Sequence, residues 1–320
     1  MNPYINRAVI RDPEMFYGRN MEIGRIYSRI NVSDPQSISI VGDRRIGKSS
    51  LLHFIYHEDN RTKYLSNPES YMFVLMDLQE ESNDTISEFI ESLLALISVE
   101  LGRDIPMTGK TGYDTLKRLA MELMREKRKL IILFDEFELI TQNESFDSSF
   151  YAFFRGLASN YDIAFITSSM RDLQELCRVK VIANSPFFNI FSKVHLGPFR
   201  YEEALELIEK PSNTVGYPLS EYADAILDIS GMLPIFIQIA CSAFFEFIQT
   251  TGKNNVSSEN VKEIENIFFD EASSHFQYIW DSFDDDERDM CRYVLSQNEI
   301  DGDRKKVLID LIKRGYIIEK

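Results

Sequence analysis

The stretch Gly42-Asp43-Arg44-Arg45-Ile46-Gly47-Lys48-Ser49 constrains this chain more than any other part of it. It follows a β-branched apolar segment, SISIV, and leads into SSLLHFI, which has the pattern of an amphipathic helix. A strand, a glycine-bounded turn and a helix in that order fit G-x-x-x-x-G-K-[ST], the Walker A or P-loop pattern. The glycines let the backbone curl until several N–H groups face one anion, and the positive end of the following helix favours negative charge there. In this reading Lys48 reaches the β- and γ-phosphates of ATP or ADP, and the Ser49 hydroxyl is a ligand of Mg²⁺. The nucleotide-binding set comprises Gly42, Asp43, Arg44, Arg45, Ile46, Gly47, Lys48, Ser49 and Ser50. A second GKT, Gly109-Lys110-Thr111, fails the same test: Asp104 stands where the first glycine belongs, and no apolar strand precedes it.

A P-loop calls for an acidic element on a neighbouring strand, and LIILFDEFE supplies one. Asp135, at the strand's end, is placed to hold Mg²⁺ directly or through water. Glu136 is placed beside the γ-phosphate to polarise an attacking water. Glu138 reads as a structural or solvated acid. The next apolar segment, IAFITSSMRDL, ends in small hydroxyls and Arg171. Two readings stay open there. One is a γ-phosphate sensor, with Thr167 or Ser168 on the attacking water and Arg171 as a catalytic cation. The other is a strand end with helix-capping serines and a surface arginine.

Up to Phe199, β-like segments (38–41, 71–78, 130–136, 161–169 and 193–199) alternate with helical ones. The helices include Thr85 to Leu101, with Gly102 as its stop, and Tyr113 to Lys127. That alternation predicts an α/β fold with a parallel sheet covered on both faces. Beyond Phe199 only helices are expected: Tyr201 to Lys210 closed by Pro211, Ser220 to Ile229 closed by Gly231, Pro234 to Thr250 with a first-turn proline, and Ser258 to about Phe269. From about Ser273 the pattern gives helices near Asp284–Ser296 and Asp303–Arg314, then GYIIEK, a C-cap glycine and a short strand. The expected domains are 1–199, 200–272 and 273–320, a division that 320 residues allow.

The net charge of −16 disfavours a broad nucleic-acid surface, because phosphate backbones need a compensating basic field. Cys177, Cys241 and Cys291 lie far apart, without a paired framework or metal-ligand spacing, so a reducing, cytoplasmic compartment is expected. The opening MNPYINRAVIRDPEMF has no apolar core of a secretory signal. The most apolar run, Ile235 to Ile248, is too short to span a bilayer and carries Gln238, Ser242 and Glu246 as a polar stripe, so no membrane partner is expected.

With these motifs in place, the chain resembles P-loop ATPases of the STAND class, within the AAA-related additional-strand group, and among them the archaeal-type and origin-recognition-like ATPases. MFYGRNMEIGRI resembles their N-terminal Gly-Arg box, which implies Gly18 and Arg19 beside the adenine, with Glu22 three residues on. GDRRIGKSSLL resembles their arginine-containing Walker A, and ILFDEFE their Walker B. GMLP, Gly231 to Pro234, resembles the Gly-x-Pro box of the helical lid, whose proline packs near the base and ribose. The resemblance covers roughly Pro13 to Thr250. It implies a RecA-like sheet that binds ATP, an all-α lid and a winged-helix domain. The last segment departs from that plan: only about six residues separate its two helices and the chain stops after one strand, so the winged helix is degenerate, cut short or completed elsewhere. Arg304, Lys305, Lys306, Lys313 and Arg314 make its last helix basic, either to read DNA or as a solvated face.

The implied function is an ATP-binding, slowly hydrolysing conformational switch. ATP closes the lid, ADP loosens it, and the change exposes or hides a surface for a protein partner or effector domain; nucleotide-dependent self-association is compatible with this. Two alternatives stand beside it. A DNA-associated ATPase has the acidic charge against it, and a nonhydrolysing nucleotide-binding scaffold has Glu136 against it.

Overall fold

Five apolar segments pair into one all-parallel sheet in the computed structural model, which describes residues 2–5, 8–79, 81, 83–176, 186–252, 256–296 and 304–317. Cys177 and the last three residues of GYIIEK lie outside the described residues. The chain divides into two compact units.

The α/β unit comprises Val9–Phe16 and Asn20–Leu196. In chain order it holds α1 (Asn20–Ile30), β1 (Ile38–Val41), α2 (Lys48–Tyr56), α3 (Glu58–Tyr64), β2 (Tyr71–Asp77), α4 (Ile86–Leu101) and α5 (Tyr113–Arg125). It continues with β3 (Lys129–Asp135), α6 (Glu138–Gln142), α7 (Ser148–Asn160), β4 (Ile163–Ser169), α8 (Leu173–Leu176) and β5 (Ser192–His195). The strand order is β2-β3-β4-β1-β5, with Leu133 opposite Ile166 and Ile38 opposite both Ile166 and Ser192. β1, β3 and β4 are almost continuously buried, as expected for strands covered on both faces. The chain leaves β1 for the far edge at β2, works back through β3 and β4, and then passes β1 to β5. The crevice at the carboxyl end of β1, where the strand order reverses, is the usual ligand position of such sheets.

A cluster of phenylalanines packs one side of this sheet. Phe89 of α4 lies edge-on to Phe146 and Phe150, and Phe134 of β3 stacks on Phe165 of β4 at 6.0 Å. These rings are essentially fully buried, and they anchor the strand that carries Asp135. α4 begins with a reciprocal capping box between Thr85 and Glu88 and stops at Gly102 in a left-handed conformation. The GKT decoy lies in the loop between α4 and α5, not after a strand.

The helical unit comprises Met1–Ala8, Tyr17–Arg19 and Gly197–Lys320. Its helices are α9 (Tyr201–Thr214), α10 (Ala223–Ser230), α11 (Pro234–Thr251), α12 (Ser258–Ser282), α13 (Asp285–Leu295) and α14 (Arg304–Lys313). Pro211 does not close its helix, contrary to expectation; α9 continues to Thr214. The proline sits in the last turn, so it forfeits a single backbone bond, and Leu207, Ile208, Pro211 and Ser212 are all buried along the helix. Side chains also hold this turn: the neighbouring Ile208 carbonyl accepts from the Ser212 hydroxyl (2.9 Å) and from the Tyr4 hydroxyl.

α12 also runs past its expected end at Phe269. Phe268, Ala272 and Phe276 follow one another at helical spacing; Ala272 is fully buried and Phe236 stacks on Phe276 at 4.6 Å, so packing carries the helix through the two serines. The position between residues 272 and 273 therefore falls inside a continuous helix. The polar stripe of α11 has a partner: the Asn2 amide donates to the Ser242 hydroxyl (2.9 Å) and to Glu246 (3.1 Å). Phe283, Met290 and Leu311 form a small core under α13 and α14. Gly315 caps α14 in a left-handed conformation, and Gly315 to Ile317 form a turn. No described helix is long and apolar enough to cross a membrane.

Candidate nucleotide-binding site

The loop between β1 and α2 is shaped by its glycines. A Cβ on Gly42 would lie 2.7 Å from the Leu196 carbonyl oxygen, so nothing larger fits without movement. Gly42 N–H donates to the Ser169 carbonyl (3.1 Å), which ties the start of the loop to the end of β4. Gly47 has φ 102°, a conformation side chains rarely adopt. Arg45 is left-handed at φ 64° without being a glycine, a cost of roughly 1–2 kcal/mol. No side chain caps α2, so its first N–H groups face the loop as an anion site requires.

Lys48 is only 8 % exposed, and its ammonium donates to the carbonyls of Gly42 (2.8 Å) and Asp43 (3.1 Å). Burial pulls its pKa down; the carboxyl groups of Glu138, Asp135, Asp43 and Glu136 oppose that pull, in that order. Ser49 is half-buried beside it, Ile46 is buried in the core, and Arg44 and Arg45 are exposed. The Ser50 hydroxyl accepts the Ile10 N–H (3.0 Å), so it serves the N-terminal segment in this structure.

The strand carrying Asp135 is not the direct neighbour of β1; β4 lies between them, the additional strand implied by the resemblance. β4 makes the connection. The Ser168 hydroxyl donates to Asp135 Oδ1 and accepts the Glu136 N–H at 3.0 Å, and the Ser168 carbonyl accepts the Phe137 N–H at 2.9 Å. Glu136 has φ 54°, the left-handed region, immediately after the strand. A strained residue held by two strands at the edge of a crevice is a mark of function. Thr167, Ser168 and Ser169 are fully buried, and the Thr167 hydroxyl has no partner among the described residues. Ser169 donates to the Arg171 carbonyl (2.7 Å), while the Arg171 side chain is exposed. Glu138 is not solvated: it is 4 % exposed and accepts the Met170 N–H at 3.0 Å.

The other expected contacts lie in the helical unit. Gly18 and Arg19 are consecutive left-handed residues, at φ 72° and 62°. Their N–H groups donate to Glu206 (3.3 Å) and Glu203 (2.7 Å) of α9. The Arg19 guanidinium donates to the Gly197 carbonyl (2.8 Å) and lies 4.6 Å over the Phe199 ring. Phe199 N–H donates to the Met232 carbonyl (2.8 Å), and Pro234 opens α11 two residues later. The Gly-Arg and Gly-x-Pro boxes thus share one support, the segment 197–199, although more than two hundred residues separate them in sequence.

A model of the novel STAND NTPase 2 family matches residues 32–299. The chain belongs to that family. No curated protein matches it. Among solved structures, a Walker-type ATPase of Pyrococcus abyssi is similar, at 16 % identity and a TM-score of 0.61 over 100 % of this chain and 95 % of that one. The ORC2 protein of Aeropyrum pernix, solved as ADPNP-ADP complexes, is similar at 17 % identity and a TM-score of 0.63 over 98 % and 86 %. The ORC1 protein of the same organism, solved in complex with DNA, is similar at 10 % identity and 0.53 over 98 % and 87 %. These likenesses carry the fold: this STAND NTPase has a RecA-like α/β unit of the origin-recognition type, followed by helices. Two features of its site left no signal in the motifs. The Ser168–Asp135 tie joins residues 33 apart, and the burial of Glu138 depends on where Met170 falls after β4.

Proposed function

We propose that this STAND NTPase binds ATP, hydrolyses it slowly, and works as a conformational switch whose nucleotide state controls access to a protein partner or effector domain. The observation that carries this reading is the arrangement around Ser168, which holds Asp135 and the left-handed Glu136 together while Lys48 lies buried against the Gly42 and Asp43 carbonyls of the loop. A pure scaffold has no need of a strained acid there.

In this reading Gly42 to Ser50 cradle the phosphates, Lys48 neutralises them, and Glu136 orients and deprotonates the attacking water. The donor set suits Mg²⁺: the Ser49 hydroxyl and the Asp135 carboxylate are hard oxygen ligands. When bound, the ion would neutralise phosphate charge. Thr167 is the better candidate for a polar contact to the γ-phosphate or water, because its buried hydroxyl has no partner among the described residues whereas that of Ser168 is engaged. Arg171 is assigned as a phosphate-reaching cation from its place at the end of β4. Gly18, Arg19 and Pro234 are assigned to the base and ribose. Residues 200–272 act as the lid, and 273–320 as a partial winged helix.

A switch requires ATP to favour one arrangement over another, since equal affinity shifts nothing. Hydrogen exchange across Tyr201 to Thr251 should slow with Mg²⁺ and a nonhydrolysable ATP analogue, and less with ADP. Identical protection in the empty, ADP and analogue states at saturation would refute the switch. The DNA-associated alternative is weakened by Arg314. Its guanidinium pairs with Glu287 and Asp310 (3.3 Å) and lies over Phe283 and Tyr316, so it is committed to the fold.

A further inference from the structure

Chain ends ordinarily fray unless something ties them down. The N-terminal segment is tied down on both sides of a stretch that the P-loop helix holds. Asn2 and Tyr4 are buried in the helical unit. The Asn2 amide donates to Ser242 and Glu246 of α11, and its Oδ1 accepts the Tyr4 N–H at 3.0 Å. The Tyr4 hydroxyl donates to the Ile208 carbonyl of α9. Val9 to Phe16 belong instead to the α/β unit. There the Ile10 N–H donates to the Ser50 hydroxyl of α2 at 3.0 Å, one residue beyond Ser49. The Phe16 ring lies 4.8 Å from that of Phe54, one turn further along α2. Tyr17 to Arg19 return to the helical unit. The Lys210 ammonium of α9 lies 5.9 Å over the Tyr17 ring, and the Gly18 and Arg19 N–H groups donate to Glu206 and Glu203 of the same helix. α9 thus grips the segment on either side of the stretch that α2 holds. The middle hold is the lighter one: a single hydrogen bond and a ring contact, both made by half-buried residues of the segment.

We propose that the segment carrying Tyr4, Ile10, Phe16 and Arg19 is a clasp that passes the state of the P-loop helix to the lid. Nucleotide at the loop firms α2, the clasp follows Ser50 and Phe54, and α9 follows the clasp. This rests on the P-loop ATPase reading. It gives the switch a route through contiguous contacts and backbone, besides the passage from Leu196 to Gly197.

Detaching the middle of the clasp while leaving both arms in place tests this. Phe16→Ala removes the ring contact, Ile10→Pro removes the N–H that Ser50 accepts, and neither residue belongs to the nucleotide-binding set. Hydrogen exchange of the full-length chain is followed without nucleotide, with MgADP, and with Mg²⁺ and a nonhydrolysable ATP analogue, each at saturation. α2 reports occupancy, the buried β3 amides of Leu130 to Phe134 report an intact α/β unit, and α9 reports the lid. In the wild type the analogue should slow exchange in both α2 and α9. In the double variant α2 should respond as in the wild type, whereas the slowing in α9 should shrink at least threefold (roughly the loss of one light hold). An α9 response of wild-type size beside a normal α2 response would overturn the clasp and leave the switch standing. Identical α9 exchange in all three wild-type states would overturn both. A wild-type α2 that ignores nucleotide would remove the P-loop reading and the clasp with it. Should the β3 amides show that the loop variants unfold, Tyr4→Phe decides: it is nearly isosteric, frees one arm from α9, and should shrink the α9 response about twofold. An undiminished response in Tyr4→Phe would then overturn the clasp.

Discussion

The Ser168 hydroxyl, on β4, donates to the carboxylate of Asp135 at the end of β3. Because β4 separates β3 from β1, this contact is how the acid is registered against the phosphate loop. The same oxygen accepts the Glu136 N–H, so one buried hydroxyl orients both acids. Ser168→Ala should therefore cost about 1–3 kcal/mol of stability, the penalty for unpairing buried polar groups, as read by denaturant unfolding. It should also raise the Mg²⁺ concentration needed for half-maximal phosphate release. A variant that matches the wild type in both measurements would make the tie idle.

Lys48→Ala should weaken nucleotide binding by about a hundredfold or more, since charge-assisted hydrogen bonds to phosphate contribute roughly 1.5–3 kcal/mol each. Titration with ATP and Mg²⁺ checks this, and unchanged affinity would remove the P-loop assignment.

Glu136→Gln should leave ATP binding largely intact and slow hydrolysis by roughly 10²–10⁴-fold, the usual worth of a general base. The variant should accumulate in the ATP-bound form. Glu136→Gly should be just as inactive but more stable than the glutamine variant by about 1 kcal/mol, because glycine takes the left-handed backbone at φ 54° without strain. Wild-type turnover in either variant would exclude Glu136 as the base.

Two glycine-to-alanine changes should have opposite signs. Gly42→Ala drives a methyl to 2.7 Å from the Leu196 carbonyl and should destabilise the α/β unit by about 1–3 kcal/mol. Gly24→Ala lies on the exposed face of α1 with nothing within 4 Å, and should stabilise by up to about 1 kcal/mol through helix propensity. Thermal unfolding of the pair separates close approach from propensity, and equal shifts would contradict it.

The elements around the site were legible in the sequence because each is decided locally. The glycines of the P-loop, the alternation of apolar strands with helices, the Gly102 stop of α4 and the proline that opens α11 are all set by backbone preference and periodicity over a few residues. What escaped that reading depends on partners remote in the chain. Pro211 was a stop signal until the buried face of α9, with Leu207, Ile208, Pro211 and Ser212, made the helix worth continuing. The expected end of α12 near Phe269 gave way because Phe236 packs against Phe276 beyond it. The sequence named Lys48, Asp135 and Glu136 from their motifs. Only the strand order could place Ser168 between them, and only the path of the chain after β4 could bury Glu138 against the Met170 N–H. Local propensity is a property of neighbours along the chain, whereas burial and charge pairing are properties of neighbours in space.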